Sequence, residues 1–172
     1  AARLRASKAA EPAERRRDDF GVGDARRVQS RQQLMTAIVQ AIVGAMRRDP
    51  KRPDAEVGLK TPSIHSDLLW TLHSNNNLAE ALRRFGVSRT TRTLILVRVA
   101  PPLDAGELVQ HMTQLVDGTL QTRGLSLPSP ALAWSELGTA YKIQDTPAFQ
   151  HPDTSQVDAL ICSMVASKYV GA

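Results

Sequence analysis

The segment Thr93-Leu-Ile-Leu-Val-Arg-Val99 constrains the fold of this chain more than any other. It is rich in β-branched residues, contains no glycine or proline, and is followed by Pro101-Pro102, which cannot continue a strand. We therefore predict a strand here. A second apolar segment, Ile64–Leu72, is interpreted as a strand near the centre of the same small sheet.

A capping-box spacing at Ser30 and Gln33 marks the start of a long helix, because the serine oxygen accepts from an otherwise unpaired N–H group three residues on. The apolar residues that follow recur at helical spacing and predict one wide stripe that faces the core. This stripe contains Leu34, Met35, Ile38, Val39, Ile42, Val43 and Met46.

Helical spacing and capping residues predict further helices over residues 77–86, 104–118 and 133–143 and from Ser155 onward, with Gly86 as a left-handed stop. The order of these elements predicts an α+β fold, an α/β sandwich around a small sheet, in a single domain. We assign residues 28–172 to this domain. Residues 1–27 are interpreted as an N-terminal helix fragment followed by a basic linker.

Positive charge is concentrated in the first third of the chain. Residues 1–60 hold 14 lysines and arginines against 8 aspartates and glutamates, whereas residues 61–172 hold 8 against 9. A basic region attracts polyanions, which makes nucleic acid a candidate partner. The alternative is that these arginines only keep loops and helix ends in solution. Aromatic residues are only 4% of the chain, which argues against a platform of many stacking rings.

The composition indicates a soluble intracellular protein without a cofactor or metal. Hydrophobic residues are 42% and charged residues 23%, as in globular domains, and no apolar run approaches the roughly 20 residues of a membrane span. The single cysteine, Cys162, argues against a disulfide framework. His65, Asp67 and His73 are a candidate acid–base group, although a polar strand end explains them as well. The residues alone favour a binding module over an enzyme.

The stretch Asn75-Asn-Asn-Leu-Ala-Glu-Ala-Leu-Arg-Arg-Phe-Gly86 resembles the kinase-binding subunit of the KEOPS complex, the PRPK-binding protein family. The resemblance spans most of residues 28–165. Residues 1–5 look like the start of the family's first helix, so the strand that usually precedes this helix is expected to be absent. Residues 11–27 and 49–58 look longer than usual. Further matches follow in the family's order: Val28 to Leu34, Thr93 to Val99, Val116 to Gly118, Ala140 to Ile143 and Asp158 to Cys162.

The resemblance implies a small, mostly antiparallel sheet of about four strands flanked by helices. It also implies a non-catalytic subunit of an assembly that makes threonylcarbamoyl-adenosine in tRNA, acting in the cytoplasm and nucleus. Such a subunit binds and allosterically stimulates the small atypical kinase of the complex, contacts the other subunits indirectly, and captures the CCA end of tRNA. A generic basic RNA-binding protein and a small-molecule enzyme built on the histidines remain alternatives.

The resemblance also implies that the kinase docks on the last helix. Four apolar residues at positions i, i+1, i+4 and i+5 of this helix are expected to share the docking face: Leu160, Ile161, Met164 and Val165. The alternative is that they pack into the core of this domain.

For tRNA, we expect Lys60 and the three asparagines Asn75, Asn76 and Asn77 near one rim of the sheet, because they flank its first matched strand. A lysine suits a phosphate, and asparagine amides suit phosphates or base edges. Arg84, on the following helix, is expected to add a phosphate contact. The alternatives are that Asn77 only caps this helix and that Arg84 only pairs with a neighbouring glutamate.

Overall fold

A computed structural model describes residues 3–4, 21–46, 59–99, 105–119, 132–150 and 153–169. Most of the expected basic linker and all of the loop 49–58 lie outside these residues. The helices are α1 (Arg31–Met46), α2 (Ile64–Leu72), α3 (Leu78–Phe85), α4 (Ala105–Leu115), α5 (Trp134–Tyr141), α6 (Pro147–Gln150) and α7 (Thr154–Ala166). The strands are β1 (Arg3–Leu4), β2 (Gly21–Asp24), β3 (Leu94–Val97) and β4 (Val116–Asp117).

The described strands form two separate antiparallel pairs. In the first pair, Arg3 of β1 lies opposite Asp117 of β4. In the second, Gly21 of β2 lies opposite Val97 of β3. The α+β class is therefore confirmed, and so is the strand predicted from Thr93 onward, but the expected sheet of about four strands is wrong for the described residues.

The segment interpreted as a central strand, Ile64–Leu72, is helix α2. Its start is fixed by a reciprocal cap, in which Ser63 Oγ accepts from Ser66 N and Ser66 Oγ accepts from Ser63 N, both at 3.2 Å. Seven of its nine residues are buried, so almost every face of the helix is covered. A continuous apolar run is typical of a buried strand and of a buried helix alike, so the run itself does not separate the two, and the serine cap marks where the helix starts.

The N-terminal region also differs from its interpretation. Arg3–Leu4 is a strand where a helix was expected, and Gly21–Asp24 is a strand where a linker was expected. Gly23 of β2 also forms an isolated antiparallel bridge with Gly86, so β2 lies beside the end of α3. Gly86 does end α3, but its backbone is extended (φ −69°) rather than left-handed.

Helix α1 begins as predicted at Ser30, whose Oγ accepts from Gln33 N at 2.9 Å. The Gln33 side chain instead accepts from Gln29 N, at 2.7 Å. The helix packs against α2 and α7. It runs parallel to α7, because Ser30 donates to Asp158 near the start of α7 while Gly44 meets the ring of Tyr169 just after its end.

The predicted apolar stripe of α1 is only partly buried. The buried face consists mainly of small residues beside Leu34, namely Ala37, Ala41 and Gly44, which allow neighbouring elements to approach closely. The opposite side carries exposed apolar residues, which we call the apolar ridge: Met35 (46% exposed), Val39 (49%), Val43 (40%) and Met46 (75%).

Candidate functional site

The proposed RNA-contacting residues lie at the two ends of α2. Lys60 is exposed before the helix, and its backbone N–H donates to Asp67 Oδ1 at 3.0 Å. Asn75, Asn76 and Asn77 are exposed after the helix. A helix of nine residues is about 13 Å long, so Lys60 and the asparagines do not meet at one rim of a sheet as expected.

Residues 74–77, which we call the asparagine loop, are ordered by their own side chains. Asn75 Oδ1 accepts from Asn77 N at 2.9 Å, and Asn77 Oδ1 accepts from Glu80 N at 3.1 Å. Asn77 therefore caps α3, as the alternative interpretation expected. Within the part of the chain that the structure describes, the amide of Asn76 has no hydrogen-bond partner, so it is the asparagine with the most freedom to bind a ligand.

Arg84 lies on α3 beside this loop and pairs with Glu80, as its alternative interpretation expected. Its Nε donates to Glu80 Oε1 at 2.6 Å, while Arg83 donates to both oxygens of the same carboxylate. The hydrogen bonds from Arg83 and then Arg84 lower the pKa of Glu80 to about 2. One carboxylate facing two guanidinium groups leaves this end of α2 positively charged.

The two histidines of the candidate acid–base group are not brought together. His65 Nε2 accepts from Val99 N at 3.1 Å, at the start of α2, while His73 follows its end and accepts from Asn75 N at 3.1 Å. Asp67 is fully buried and accepts from Lys60 N and from the hydroxyl of Tyr169. These contacts disfavour an enzyme built on these three residues, and no cluster that could hold a metal occurs among the described residues.

His73 is buried, and one of its ring nitrogens has no hydrogen-bond partner among the described residues. Its Nδ1 accepts from Asn75 N, so the neutral ring has its proton on Nε2, an atom with no partner among the described residues. Burial lowers the pKa of His73, and the nearby charges of Arg84 and Lys168 lower it further. A neutral ring therefore underlies the asparagine loop at pH 7.

Sequence reasoning missed the residues that follow α7. Lys168 is 7% exposed, and its ammonium donates to the carbonyl oxygens of His73, at 2.7 Å, and of Asn75. Tyr169 donates to Asp67 Oδ2 and packs edge-on against Trp70, with 5.5 Å between ring centroids. A Ser-Lys-Tyr sequence after an apolar helix gives no signal for such contacts.

The four residues predicted to bind the kinase do not share one face of α7. Ile161 and Val165 are 0% and 1% exposed and belong to the core, as the alternative interpretation expected. Leu160 and Met164 are partly buried and remain partly accessible at the edge of the core. At 100° per residue, i and i+1 are too far apart to face the same side, so the stripe divides between core and surface.

Cys162 lies on the side of α7 that faces α1 and contacts Asp158 Oδ1 at 3.7 Å. Burial, together with the neighbouring carboxylate, raises the pKa of its thiol to about 11. The thiol is therefore protonated at neutral pH and lacks the thiolate character of a nucleophile.

A search of the described helices for a membrane span, which needs sufficient length and an apolar sequence, finds none among them.

Comparison with known proteins identifies relatives with a shared name, EKC/KEOPS complex subunit CGI121. The protein of that name from Gibberella zeae is 34% identical over 107 residues, which are 58% of this chain and 50% of the relative. The one from Aspergillus terreus is 32% identical over 103 residues, 59% of this chain and 48% of the relative. This chain thus spans about half the length of these curated relatives.

A more complete match comes from Cryptococcus neoformans, whose protein of the same name is 28% identical over 178 aligned positions, 88% of this chain and 77% of the relative. A family model described as Kinase binding protein CGI-121 matches residues 3–169. This match runs from β1 to the turn after α7 and includes the asparagine loop and Lys168. The chain therefore belongs to the family of the kinase-binding protein CGI-121.

Proposed function

We propose that this chain is a non-catalytic accessory subunit of a KEOPS tRNA-modification complex, acting in the cytoplasm and nucleus. The observation that carries the proposal is the family match over residues 3–169, together with relatives that are named as subunits of this complex. In this role the chain binds and stimulates the small atypical kinase of the complex and captures the CCA end of tRNA, and it reaches the other subunits through the kinase.

The kinase surface that we propose has two separate parts, one on α7 and one on α1. Leu160 and Met164 are accessible on α7, and the apolar ridge is exposed on the parallel helix α1. The exposed apolar side chains of the ridge follow one another along one side of α1, as is typical of a protein–protein interface. Ile161 and Val165 are not part of this surface, because they pack into the core and hold α7 in place.

Charge substitutions in a purified pair with the kinase test this surface. We expect Val39→Glu and Met164→Glu each to weaken kinase binding about 30-fold, because an apolar anchor in an interface contributes roughly 2 kcal/mol. Val109→Glu is the matched control, since Val109 is 38% exposed on α4 and lies outside the proposed surface. Binding by both surface variants as tight as that of the control would contradict the proposal.

The RNA surface that we propose consists of Lys60, the asparagine loop and Arg84. Lys60 and the asparagines are exposed, and Arg84 keeps further N–H donors beyond the one that Glu80 accepts. The unpaired CCA end offers phosphates and free base edges, which are the groups that lysine, arginine and asparagine side chains bind.

Affinity measured at several salt concentrations tests this surface. We expect Lys60→Glu to weaken tRNA binding and to lower the slope of log K against log salt by about 0.7 to 1, because one phosphate contact is lost. Asn76→Ala should weaken binding without changing that slope. Arg31→Glu, at the start of α1 and not among the proposed RNA-contacting residues, is the charge-matched control. Removal of the CCA end should make Lys60→Glu and wild type bind alike.

The uneven charge of the sequence supports a second candidate, a generic basic RNA-binding protein. Stable association with the kinase separates the two, since only the accessory subunit requires it. The stimulation is tested by the ATPase rate of the kinase with and without this chain. A rate that does not change in the stable pair would contradict the allosteric role but not the binding role.

A further inference from the structure

The turn that follows α7 holds the asparagine loop from inside the molecule. The Lys168 ammonium lies 4.4 Å from the centroid of the Trp70 ring and donates to the carbonyl oxygens of His73 and Asn75. Its donors are thus directed at this chain's own groups, and the side chain is buried. Lys168 is therefore unsuited to bind a phosphate and well suited to fix the backbone of the loop.

The next residue holds the other end of α2. Tyr169 donates its hydroxyl to one oxygen of Asp67, and the second oxygen of Asp67 accepts from the backbone N–H of Lys60. The ring of Tyr169 fills the space over Gly44, where any Cβ would overlap it. Tyr169 is thereby clamped between α1 and α2, and its contact reaches the segment that presents Lys60.

We infer that residues 168 and 169 are positioning residues that fix the spacing between Lys60 and the asparagine loop across α2. Lys168 holds the loop directly, and Tyr169 holds the Lys60 segment through Asp67. The inference rests on the proposed function for its consequence in tRNA binding, while the positioning itself is measured without RNA. It also links the RNA surface to α7, the helix that carries part of the proposed kinase surface.

Hydrogen exchange of the free protein tests the positioning, because each of two substitutions should affect a different amide, a result that we call the crossed pattern. We expect Lys168→Met to lower the protection of the Asn75 amide about tenfold and to leave the Lys60 amide unchanged. Tyr169→Phe keeps the ring and removes the hydroxyl, so it should lower protection at Lys60 and leave Asn75 unchanged. Arg31→Met is the control, because it removes a charge from an exposed side chain at the start of α1, a residue that contacts neither Lys168 nor Tyr169 in the described structure.

Binding of tRNA by the same variants distinguishes positioning from direct contact. Substitution of a positioning residue should weaken tRNA binding about tenfold, because the loop must then become ordered on binding. The slope of log K against log salt should stay at its wild-type value. A lysine that touched a phosphate would lower the slope. Gly44→Ala, which touches none of the proposed RNA-binding residues, should reproduce the effect of Tyr169→Phe and replaces it if a substitution at 169 prevents folding.

The outcomes separate the two proposals. The crossed exchange pattern in a protein that does not bind tRNA would support the positioning and overturn the RNA function. Wild-type exchange at both amides in Lys168→Met and Tyr169→Phe would overturn the positioning, whatever the RNA affinity. A lowered salt slope in Lys168→Met, or an equal loss of protection throughout the core, would also overturn it.

Discussion

At the scale of single residues, Lys168 shows how a buried charge is tolerated in this protein. Its ammonium donates to two carbonyl oxygens and lies over the face of the Trp70 ring. Burial lowers the pKa of Lys168 from 10.5 to about 8. The carbonyl dipoles and the ring favour the charged form, so they offset part of the desolvation.

This pKa predicts how stability depends on pH. Between about pH 8 and 10.5 the unfolded chain binds a proton at Lys168 that the folded chain has released, so stability rises with pH across this window. We expect wild type to gain roughly 3 kcal/mol in the free energy of unfolding relative to Lys168→Met between pH 7.5 and 10.5. Urea denaturation of both proteins across this range measures the difference. A constant difference would show that burial does not shift this lysine.

At the scale of elements, α7 divides its apolar residues between two tasks. Val157, Ile161 and Val165 are 0 to 1% exposed and pack into the core, whereas Leu160 and Met164 lie at its edge. Helix α1 divides its residues in the same way, with small residues inward and the apolar ridge outward. A helix on the outside of a small domain can therefore supply both stability and a binding surface.

The division predicts opposite results for two neighbouring substitutions on α7. Ile161→Glu buries an unpaired charge and is expected to unfold the protein, with a loss of at least about 3 kcal/mol. Met164→Glu is expected to leave the thermal midpoint within a few degrees of wild type and to affect only kinase binding. Circular dichroism melts compare the two. A folded Ile161→Glu protein that fails only in kinase binding would restore the face first expected from the sequence.

At the scale of the whole molecule, the candidate acid–base residues are occupied by structural contacts. The titratable residues of α2 are separated and engaged by the chain itself, through His65 with Val99 and Asp67 with Lys60. The exposed features of the described residues include the apolar ridge on α1 and the polar asparagine loop at one end of α2. The turn after α7 contacts both this loop and α1, because Lys168 donates to Asn75 and the ring of Tyr169 lies against Gly44 of α1.

We therefore expect no chemistry in the isolated chain. Incubation with ATP, threonine, bicarbonate and tRNA should give no threonylcarbamoyl-adenosine and no ATP hydrolysis above the level of a mock purification, because the buried histidines and Asp67 are engaged in structural contacts. Mass spectrometry of the tRNA nucleosides and a phosphate-release assay measure both. Turnover that disappears in His65→Gln would contradict this expectation.

Local signals sufficed for a large part of this protein. The Ser30 cap, the Asn77 cap and the β-branched run after Thr93 act over a few residues, so their outcomes, helices α1 and α3 and strand β3, could be predicted. The specific residues from Asn75 to Gly86 also sufficed to identify the family. These features depend on short-range hydrogen bonding and on residue identity, which the sequence states directly.

Long-range packing decided the rest. Whether Ile64–Leu72 is a strand or a helix, and which side of α1 is buried, depends on neighbours that come from distant parts of the chain, because an apolar run satisfies either environment. The same holds for Lys168, whose partners His73 and Asn75 lie 95 and 93 residues away in sequence. The sequence by itself determined the family and the starts of α1 and α3, whereas only the tertiary structure decided which apolar residues are core, which are surface, and what holds the two ends of α2 together.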